Sequence, residues 1–300
     1  MASPLAKALR TAGFRGEIQG EAPLGPLTTW RIGGPAEVLA TPADLDDAAI
    51  ALRFACERAL PWHVLGNGSN LLVPDVGVRG LVLRLRGAQS ACAVEGPVLT
   101  AGAGASFPRV ANLAAEHGLA GLEFAAGIPG TVGGAVVMNA GWHEHETGNA
   151  VTSVEFLDED GVKRTLDRAG CAFAYRTSAF RGRPVVIGGA RFTLVPDDPA
   201  EVKARLTAFA ESRKAHQPTE LPSCGSVFLK PEGDFAGRLI EAAGLKGKRI
   251  GAIEVSPKHA NFFVNLGGGN AKDVLALVEA VESEVMRKLG VRLVREFEAW

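Results

Sequence analysis

Glycine is concentrated in short clusters along this chain, and these clusters constrain the fold more than any other feature of the sequence. The 300 residues include 37 glycines, well above the average share of about 7%. The clusters lie at 66–68, 102–104, 127–134, 188–189 and 267–269. They follow no fixed period, which excludes collagen and solenoid repeats. Because glycine lets the backbone approach a neighbour closely, the clusters predict backbone packed against something flat or phosphorylated.

The charge balance limits what the protein can bind through long-range electrostatics. Lys and Arg total 32 and Asp and Glu total 33, so the formal net charge is −1. We therefore expect no binding to nucleic acid or to a membrane surface through bulk charge. The sequence contains no run of about 18 apolar residues, so it predicts no membrane span. The N-terminus lacks the apolar core of a signal peptide, so we expect a cytoplasmic protein.

Cysteine and histidine spacing favours neither a metal site nor a disulfide framework. The cysteines lie far apart without a CxxC pair, at Cys56, Cys92, Cys171 and Cys224. His143 and His145 are two residues apart, but no third ligand follows at a supporting spacing. We expect no bound metal, and we interpret 142–146 as a surface loop.

Apolar periodicity predicts strands alternating with helices up to about residue 196. Residues 35–66 are typical of strand, helix and strand. Residues 151–166 predict a hairpin that turns at Asp160–Gly161. The Pro-Asp-Asp-Pro run at 196–199 predicts a break. A long helix follows from Asn270, its cap, to Gly290. This pattern indicates an α+β or α/β fold with a boundary near 197.

Two glycine-rich segments are candidates for a phosphate site. GNGSNLLV at 66–73 follows a predicted strand and could offer several backbone N–H groups to an anion, although a tight polar turn explains it equally well. EFAAGIPGTVGGAVVMNAG at 123–141 matches neither the P-loop nor a clean GxGxxG pattern. Its small residues leave room for a pyrophosphate or a ring; the alternative is a helix start packed against a sheet.

Four further side chains are candidates for chemistry. Arg31 in TTWRIGGPA could pair with a phosphate or form a surface salt bridge. Arg176 in AYRTSAF lies in a mixed apolar setting, where a buried guanidinium needs an anionic partner. Ser226 in LPSCGSVFLKP does not match the GxSxG elbow, yet a hydroxyl in an apolar wall could donate a proton. Glu296 lies on a predicted terminal strand. Taken alone, Ser226 is a turn serine and Glu296 a solvated glutamate.

Taken together, these segments resemble one family. The chain is similar to the UDP-N-acetylenolpyruvoylglucosamine reductases of bacterial peptidoglycan synthesis over about residues 20–298, through TWRIGGPA, LGNGSNLLV, GIPGTVGGAVVMNAG, AYRTSAF, CGSVF, AAGLKG, HANFFVN and Glu296. The resemblance implies an α+β fold. An FAD-binding domain of the vanillyl-alcohol-oxidase type would span 1–196, in subdomains of about 1–62 and 63–196. A smaller α+β substrate-binding domain would span 197–300, with its C-terminal strand returning toward the flavin.

The resemblance also implies the reaction. NADPH would reduce a non-covalently bound FAD, and UDP-N-acetylglucosamine enolpyruvate would then enter the same cleft. Hydride would pass from flavin N5 to C3, and a proton would be added at C2, giving UDP-N-acetylmuramate for cell-wall synthesis. Arg176 and Glu296 would stabilise the developing enolate-like charge, and Ser226 would donate the proton. We expect a monomer.

The same resemblance implies which residues contact the ligands. FAD would be held by Arg31, by the two glycine segments and by an asparagine after them: Gly66, Asn67, Gly68, Ser69, Asn70, Gly127, Ile128, Pro129, Gly130, Thr131, Gly133, Gly134 and Asn139. The substrate would be held by Tyr175, Lys230, Lys246 and His259.

Two departures from the family pattern affect the substrate contacts. The family usually reads G-S-x-F-K-N-P where this chain has GSVFLKP, so Leu229 and Lys230 replace the expected Lys and Asn. No tyrosine follows Tyr175, so the chain resembles the shorter type that lacks a tyrosine-bearing loop. Lys246, Lys248 and His259 are candidates for holding the diphosphate instead.

Two other functions are compatible with the same residues. One is an FAD-dependent alcohol oxidase of the same fold, which would be reoxidised rapidly by oxygen without NADPH. The other is a non-catalytic nucleotide-sugar binding protein, which would leave the N-terminal glycine clusters without a purpose.

Overall fold

The computed structural model describes residues 3–300 as a mixture of helices and short strands. The helices are α1 (Pro4–Thr11), α2 (Leu45–Glu57), α3 (Phe107–Glu116), α4 (Val132–Met138), α5 (Pro199–His216), α6 (Ala236–Ala242) and α7 (Ala271–Leu289). The strands are β1 (Glu17–Pro23), β2 (Pro35–Thr41), β3 (Trp62–Leu65), β4 (Leu71–Leu72), β5 (Val78–Arg84), β6 (Cys92–Glu95), β7 (Val98–Gly102), β8 (Leu119–Ala120), β9 (Gly141–Trp142), β10 (His145–Glu146), β11 (Val151–Leu157), β12 (Lys163–Asp167), β13 (Val186–Thr193), β14 (Val195–Pro196), β15 (Arg249–Ile250), β16 (Ile253–Val255), β17 (Phe263–Asn265) and β18 (Glu298–Ala299).

The described chain divides into two compact units whose borders differ from the predicted boundary at 197. The first unit contains the chain up to Ala22, then Glu37–Gly66 and Arg79–Ser212. The second unit contains Pro23–Ala36, Asn67–Val78 and Arg213–Trp300. Helix α5 therefore continues the first unit past residue 197, and two N-terminal segments join the second. The assignment of FAD to 1–196 and of substrate to 197–300 stays a prediction.

The first unit contains two main sheets. Strands β1, β2, β5 and β3 form one sheet in that order, with β3 parallel to β5 and Leu65 opposite Arg84. Strands β12, β11, β13, β7 and β6 form the other, which is antiparallel. Because β3 and β5 hydrogen-bond in the first sheet, the predicted subdomain border at 62/63 falls inside that sheet. Leu83, Val110 and Phe192 are fully buried in one apolar core that both sheets share.

The second unit has its own core. Strands β15, β16 and β17 form a small antiparallel sheet, and α6 and α7 pack in the same apolar cluster. Trp30 is fully buried in this core, and its Nε1 donates to the carbonyl oxygen of Phe263 at 3.1 Å. The predicted ends of α7 are confirmed: Asn270 accepts from the Asp273 N–H, and Gly290 ends the helix at φ +69°.

The C-terminal segment is not the single strand that the sequence predicts. Only Glu298–Ala299 forms a strand, β18, which runs parallel to β4. Before it, the Leu229 N–H donates to the Val294 carbonyl oxygen, and the Glu296 N–H donates to the Val227 carbonyl oxygen, both at 2.8 Å. The segment changes partner after Glu296, which divides it into short pieces.

Two kinds of feature do not occur within residues 3–300. No helix there has the length and hydropathy of a membrane-spanning segment. No group of three or more His, Cys, Asp or Glu side chains there is arranged to hold a metal ion.

A buried carboxylate organises one edge of the first unit. Asp47 in α2 is fully buried, and it accepts from the backbone N–H groups of Arg15 and Gly16 at 2.8 Å and of Ala43 at 2.9 Å. It therefore joins the segment after α1 and the segment after β2 to the start of α2. A carboxylate accepts several such bonds at once because both of its oxygens are acceptors.

We expect Asp47→Asn to lower the free energy of unfolding by about 2–3 kcal/mol, because the amide nitrogen turns a donor toward backbone donors. The measurement is urea unfolding followed by circular dichroism. Asp46→Asn is the matched control, since Asp46 lies one residue away with its side chain exposed and paired only with Lys163. Equal losses in the two variants would show that Asp47 has no organising role.

Candidate active site

The loop after β3 contains a glycine that is needed for close packing and two backbone N–H groups that remain available to a ligand. Gly68 has φ +59°, and a Cβ there would lie 2.8 Å from the Thr28 Cα. The Gly68 carbonyl oxygen accepts from the Thr29 N–H at 3.1 Å. The N–H groups of Gly68 and Ser69, by contrast, donate to no acceptor within residues 3–300. Two adjacent donors of this kind fit a phosphate group.

The second glycine segment is used mainly by the protein itself. Helix α4 starts here with Thr131 as its cap. The N–H groups of Val132 and Gly133 donate to the carbonyl oxygens of Ala105 and Ala103, each at 2.9 Å. A Cβ at Gly133 would lie 3.1 Å from the Ala103 Cβ, so close packing explains this glycine. At Gly134 a Cβ would meet only the Thr131 Oγ1, at 3.7 Å, which leaves room for a ligand.

Asn139 positions the loop that carries Arg176. It ends α4 at φ +43° and is buried. Its Nδ2 donates to Glu146 Oε2 at 2.7 Å and to the Ala174 carbonyl oxygen at 2.9 Å, and its Oδ1 accepts from the Gly148 N–H at 2.8 Å. These polar atoms of Asn139 already have protein partners. The predicted contact of Asn139 with FAD stays a prediction.

Arg176 projects from a tight turn in the first unit. Ala174 and Thr177 exchange backbone hydrogen bonds of 3.1 and 3.0 Å, which leaves Tyr175 and Arg176 at the tip. Arg176 has φ +53°, a left-handed conformation that costs energy for a residue with a Cβ. Its guanidinium is half-buried, donates from Nη2 to the Gly141 carbonyl oxygen at 2.8 Å, and lies 5.0 Å from the centre of the Tyr175 ring. The turn therefore holds the cation in a defined place.

In the second unit, backbone pairing brings Ser226 close to Glu296. The Glu296 N–H donates to the carbonyl oxygen of Val227, the residue after Ser226. Asn70 Nδ2 donates to the Glu296 carbonyl oxygen at 3.2 Å. The second unit thus gathers two predicted catalytic residues and one predicted FAD contact. Within residues 3–300 the Ser226 hydroxyl makes no hydrogen bond.

Ser226 is half-buried and lies among buried apolar residues in the sequence. Val227 and Phe228 are fully buried or nearly so, and Cys224 is buried. Burial, and secondarily the charge of Glu296, raises the pKa of the Cys224 thiol well above its usual value. A neutral, buried thiol behaves as a small apolar residue.

Asn261 is a site residue that sequence reasoning missed. It is buried, and its Nδ2 donates to the Phe228 carbonyl oxygen at 2.8 Å while its Oδ1 accepts from the Phe228 N–H at 3.0 Å. Its own carbonyl oxygen accepts from the Val227 N–H at 2.8 Å. Asn261 therefore fixes the segment that presents Ser226. An asparagine directly before the apolar run FFV was the available signal, since a buried amide needs partners.

The predicted substrate and phosphate contacts outside this region have protein partners. Lys230 places Nζ 4.5 Å from the centre of the exposed Phe235 ring, and Lys246 Nζ lies 2.9 Å from Glu241 Oε1. Burial lowers the pKa of His259, and Asn261 donates its N–H to His259 Nδ1 at 3.2 Å. Arg31 is exposed, with Nη1 donating to the Pro26 carbonyl oxygen at 3.0 Å. Their ligand contacts stay predictions.

Comparison with known proteins decides the family. Residues 36–167 match the family model of an FAD binding domain, and 217–300 match the C-terminal domain of UDP-N-acetylenolpyruvoylglucosamine reductase. A protein of Symbiobacterium thermophilum named UDP-N-acetylenolpyruvoylglucosamine reductase 2 is 46% identical over 299 residues, covering 99% of this chain and 97% of the relative. The chain belongs to the UDP-N-acetylenolpyruvoylglucosamine reductase family. A Moorella thermoacetica reductase is also 46% identical, over 296 residues, with the same coverage.

Solved structures agree with this family. The UDP-N-acetylenolpyruvylglucosamine reductase of Thermus caldophilus aligns with a TM-score of 0.82 at 38% identity, covering 95% of this chain and 99% of that one. Berberine bridge enzyme from Eschscholzia californica aligns at a TM-score of 0.50 and 12% identity over 65% of this chain and 44% of its own, which shows a shared fold only. The predicted α+β class, FAD cofactor and oxidoreductase activity of this reductase family member are confirmed.

We expect the cysteines to react with iodoacetamide at pH 8 in the order of their exposure and thiolate content. Cys56 is exposed and reacts first. Cys171 and Cys224 stay unmodified in the folded chain, because burial raises the pKa of Cys171 to about 11 and raises the pKa of Cys224 well above its usual value. A raised pKa lowers the thiolate fraction, and the thiolate is the nucleophile. Mass spectrometry of digests locates the label, with urea-unfolded protein as the control. Early labelling of Cys224 in the folded protein would contradict the burial of its thiol.

Proposed function

We propose that this chain reduces UDP-N-acetylenolpyruvoylglucosamine to UDP-N-acetylmuramate with NADPH, as a step of peptidoglycan precursor synthesis. The observation that supports the proposal is the backbone pairing of Glu296 with Val227, the residue after Ser226, in a chain of this family. We also propose a cytoplasmic monomer that acts on a nucleotide sugar and binds neither nucleic acid nor membrane. The net charge of −1 supports the last point.

The loop that includes Gly68 and Ser69 holds the pyrophosphate of FAD. Its unengaged N–H groups supply donors, and the side chains of Ser69 and Asn70 add polar contacts. Gly134 leaves space for the cofactor in the first unit. Once bound and reduced by NADPH, FAD would supply hydride for C3 of the enolpyruvyl group.

Arg176 and Glu296 stabilise the charge that hydride addition creates. Negative charge develops at C2 of the substrate and spreads into its carboxylate. The Arg176 guanidinium, fixed by its turn and by its bond to Gly141, would pair with that carboxylate, and the Glu296 carboxyl would act on the same charge. Fixed donors of this kind act most strongly where water is excluded, because no solvent has to reorganise.

Ser226 donates the proton to C2. Its hydroxyl is not engaged by another residue of the described chain, and its neighbours Cys224 and Val227 are buried. A serine hydroxyl is a weak acid, so it protonates only a strongly basic carbon, which C2 becomes after hydride addition.

We expect Ser226→Ala to separate the two half-reactions. The purified variant stays yellow and its flavin is bleached by NADPH at the normal rate under anaerobic conditions, because Ser226 has no part in that step. Reoxidation by the enolpyruvyl substrate falls by about 10²- to 10⁴-fold, as for the loss of a general acid. Stopped-flow absorbance at the flavin bands measures both steps.

Ser223→Ala is the matched control for this experiment, since it removes a nearby hydroxyl that accepts only from the Gly225 N–H. Equal loss of both half-reactions in Ser226→Ala would contradict proton donation. A colourless protein that takes up no FAD would contradict the proposed function itself. Rapid reoxidation of the wild type by oxygen, without response to the enolpyruvyl substrate, would favour an oxidase.

We expect Asn261→Ala to slow reoxidation by the substrate about 10-fold or more while flavin reduction by NADPH is unchanged, because Ser226 loses its support. Leaving the Phe228 N–H and carbonyl unpaired also lowers the free energy of unfolding by about 1–3 kcal/mol. Asn270→Ala is the control: it removes the α7 cap at a cost of about 1 kcal/mol without touching the Ser226 segment. Similar kinetics in the two variants would show that Asn261 acts only on stability.

A further inference from the structure

Arg84 is a half-buried cation without a partner in the described chain. It is the last residue of β5. Its neighbours Leu83 and Leu85 are buried in the core of the first unit, so the arginine side chain leaves the opposite face of the strand. Its Nε is buried with no hydrogen-bond partner, and its guanidinium makes no ion pair or hydrogen bond within residues 3–300.

An unpartnered guanidinium in this setting is unfavourable for the folded chain. Burying a charge costs free energy unless an opposite charge or hydrogen-bond acceptors compensate. Burial, and secondarily the positive charge of Arg86, lowers the pKa of Arg84 from its ordinary value, yet an arginine stays protonated at neutral pH. Residues 3–300 therefore supply no anionic partner for this cation.

The position of Arg84 indicates which anion is missing. Strand β5 runs parallel to β3, and Arg84 pairs with Leu65, the residue directly before Gly66. Gly66 begins the loop that we assign to the FAD pyrophosphate, and a Cβ at Gly66 would lie only 2.7 Å from Thr131 Oγ1. Arg84, the last residue of β5, and Gly66, the residue after β3, therefore lie at the same carboxyl-terminal end of two adjacent parallel strands.

We propose that Arg84 pairs with a diphosphate, and that this diphosphate is the pyrophosphate of FAD. The inference rests on the FAD cofactor and adds to its site a guanidinium that no sequence motif indicates. Arginine suits this role because its planar fork of donors matches two phosphate oxygens at once.

The test compares the FAD affinity of Arg84→Met and Arg84→Lys with that of Arg79→Met. Arg79 is an exposed arginine of the same strand, so its variant makes the same charge change. Holoenzyme is diluted in steps, and the rise of flavin fluorescence gives the dissociation constant. We expect Arg84→Met to bind FAD about 10- to 100-fold more weakly, Arg84→Lys to recover part of the loss, and Arg79→Met to match the wild type.

Two further measurements separate this inference from its alternatives. Urea unfolding at rising FAD concentrations, extrapolated to zero FAD, gives the stability of the chain itself. We expect Arg84→Met to be no less stable there, because it removes an uncompensated charge; a clear loss of stability would show a structural role and overturn the proposal. KM values for NADPH and for the nucleotide sugar, measured at saturating FAD, should not change.

Two outcomes of the affinity measurement would also overturn the assignment. One is an FAD affinity of Arg84→Met equal to that of Arg79→Met. The other is unchanged FAD affinity with a raised KM for the nucleotide sugar, which would show that the diphosphate belongs to the substrate. The FAD affinities can be compared even if the enzyme does not turn over the enolpyruvyl substrate. A failure of the proposed function is therefore distinguishable from a failure of this inference.

Discussion

The backbone pairing of the C-terminal segment within the second unit is the interaction on which the candidate active site depends. The N–H of Glu296 bonds to Val227, and the N–H of Glu298 bonds to Asn70 at 3.0 Å. Residues 69 and 228 positions apart are thereby held at hydrogen-bond distance. Such bonds carry little net free energy one by one, but leaving buried backbone groups unpaired is costly, so the register is specific.

Asparagine side chains support this arrangement in both units. Asn261 holds the backbone of Phe228, and Asn139 holds the turn that carries Arg176. An amide can donate and accept at once, so one buried asparagine satisfies both backbone groups of a neighbouring segment. The segments that carry Ser226 and Arg176 are thus each supported by a buried asparagine.

Sequence reasoning succeeded where local patterns carry the information. The β11–β12 hairpin, the cap and end of α7 and the family were all predicted, because turn, cap and motif residues act over a few positions. It was less accurate for the C-terminal strand. The pairing of that segment depends on which distant segment supplies the hydrogen-bond partner, and alternation within a segment does not identify that partner.

The sequence by itself determined the ends of α7 and the β11–β12 hairpin, the absence of a strong net charge, and the chemical groups available for catalysis. Only the tertiary structure decided how each glycine and arginine is used. Gly68 and Gly133 serve close packing, the N–H groups of Gly68 and Ser69 stay open, and Arg84 is left with a buried, unpaired Nε. The physical reason is that burial and pairing are properties of the surroundings, which residues remote in the chain provide.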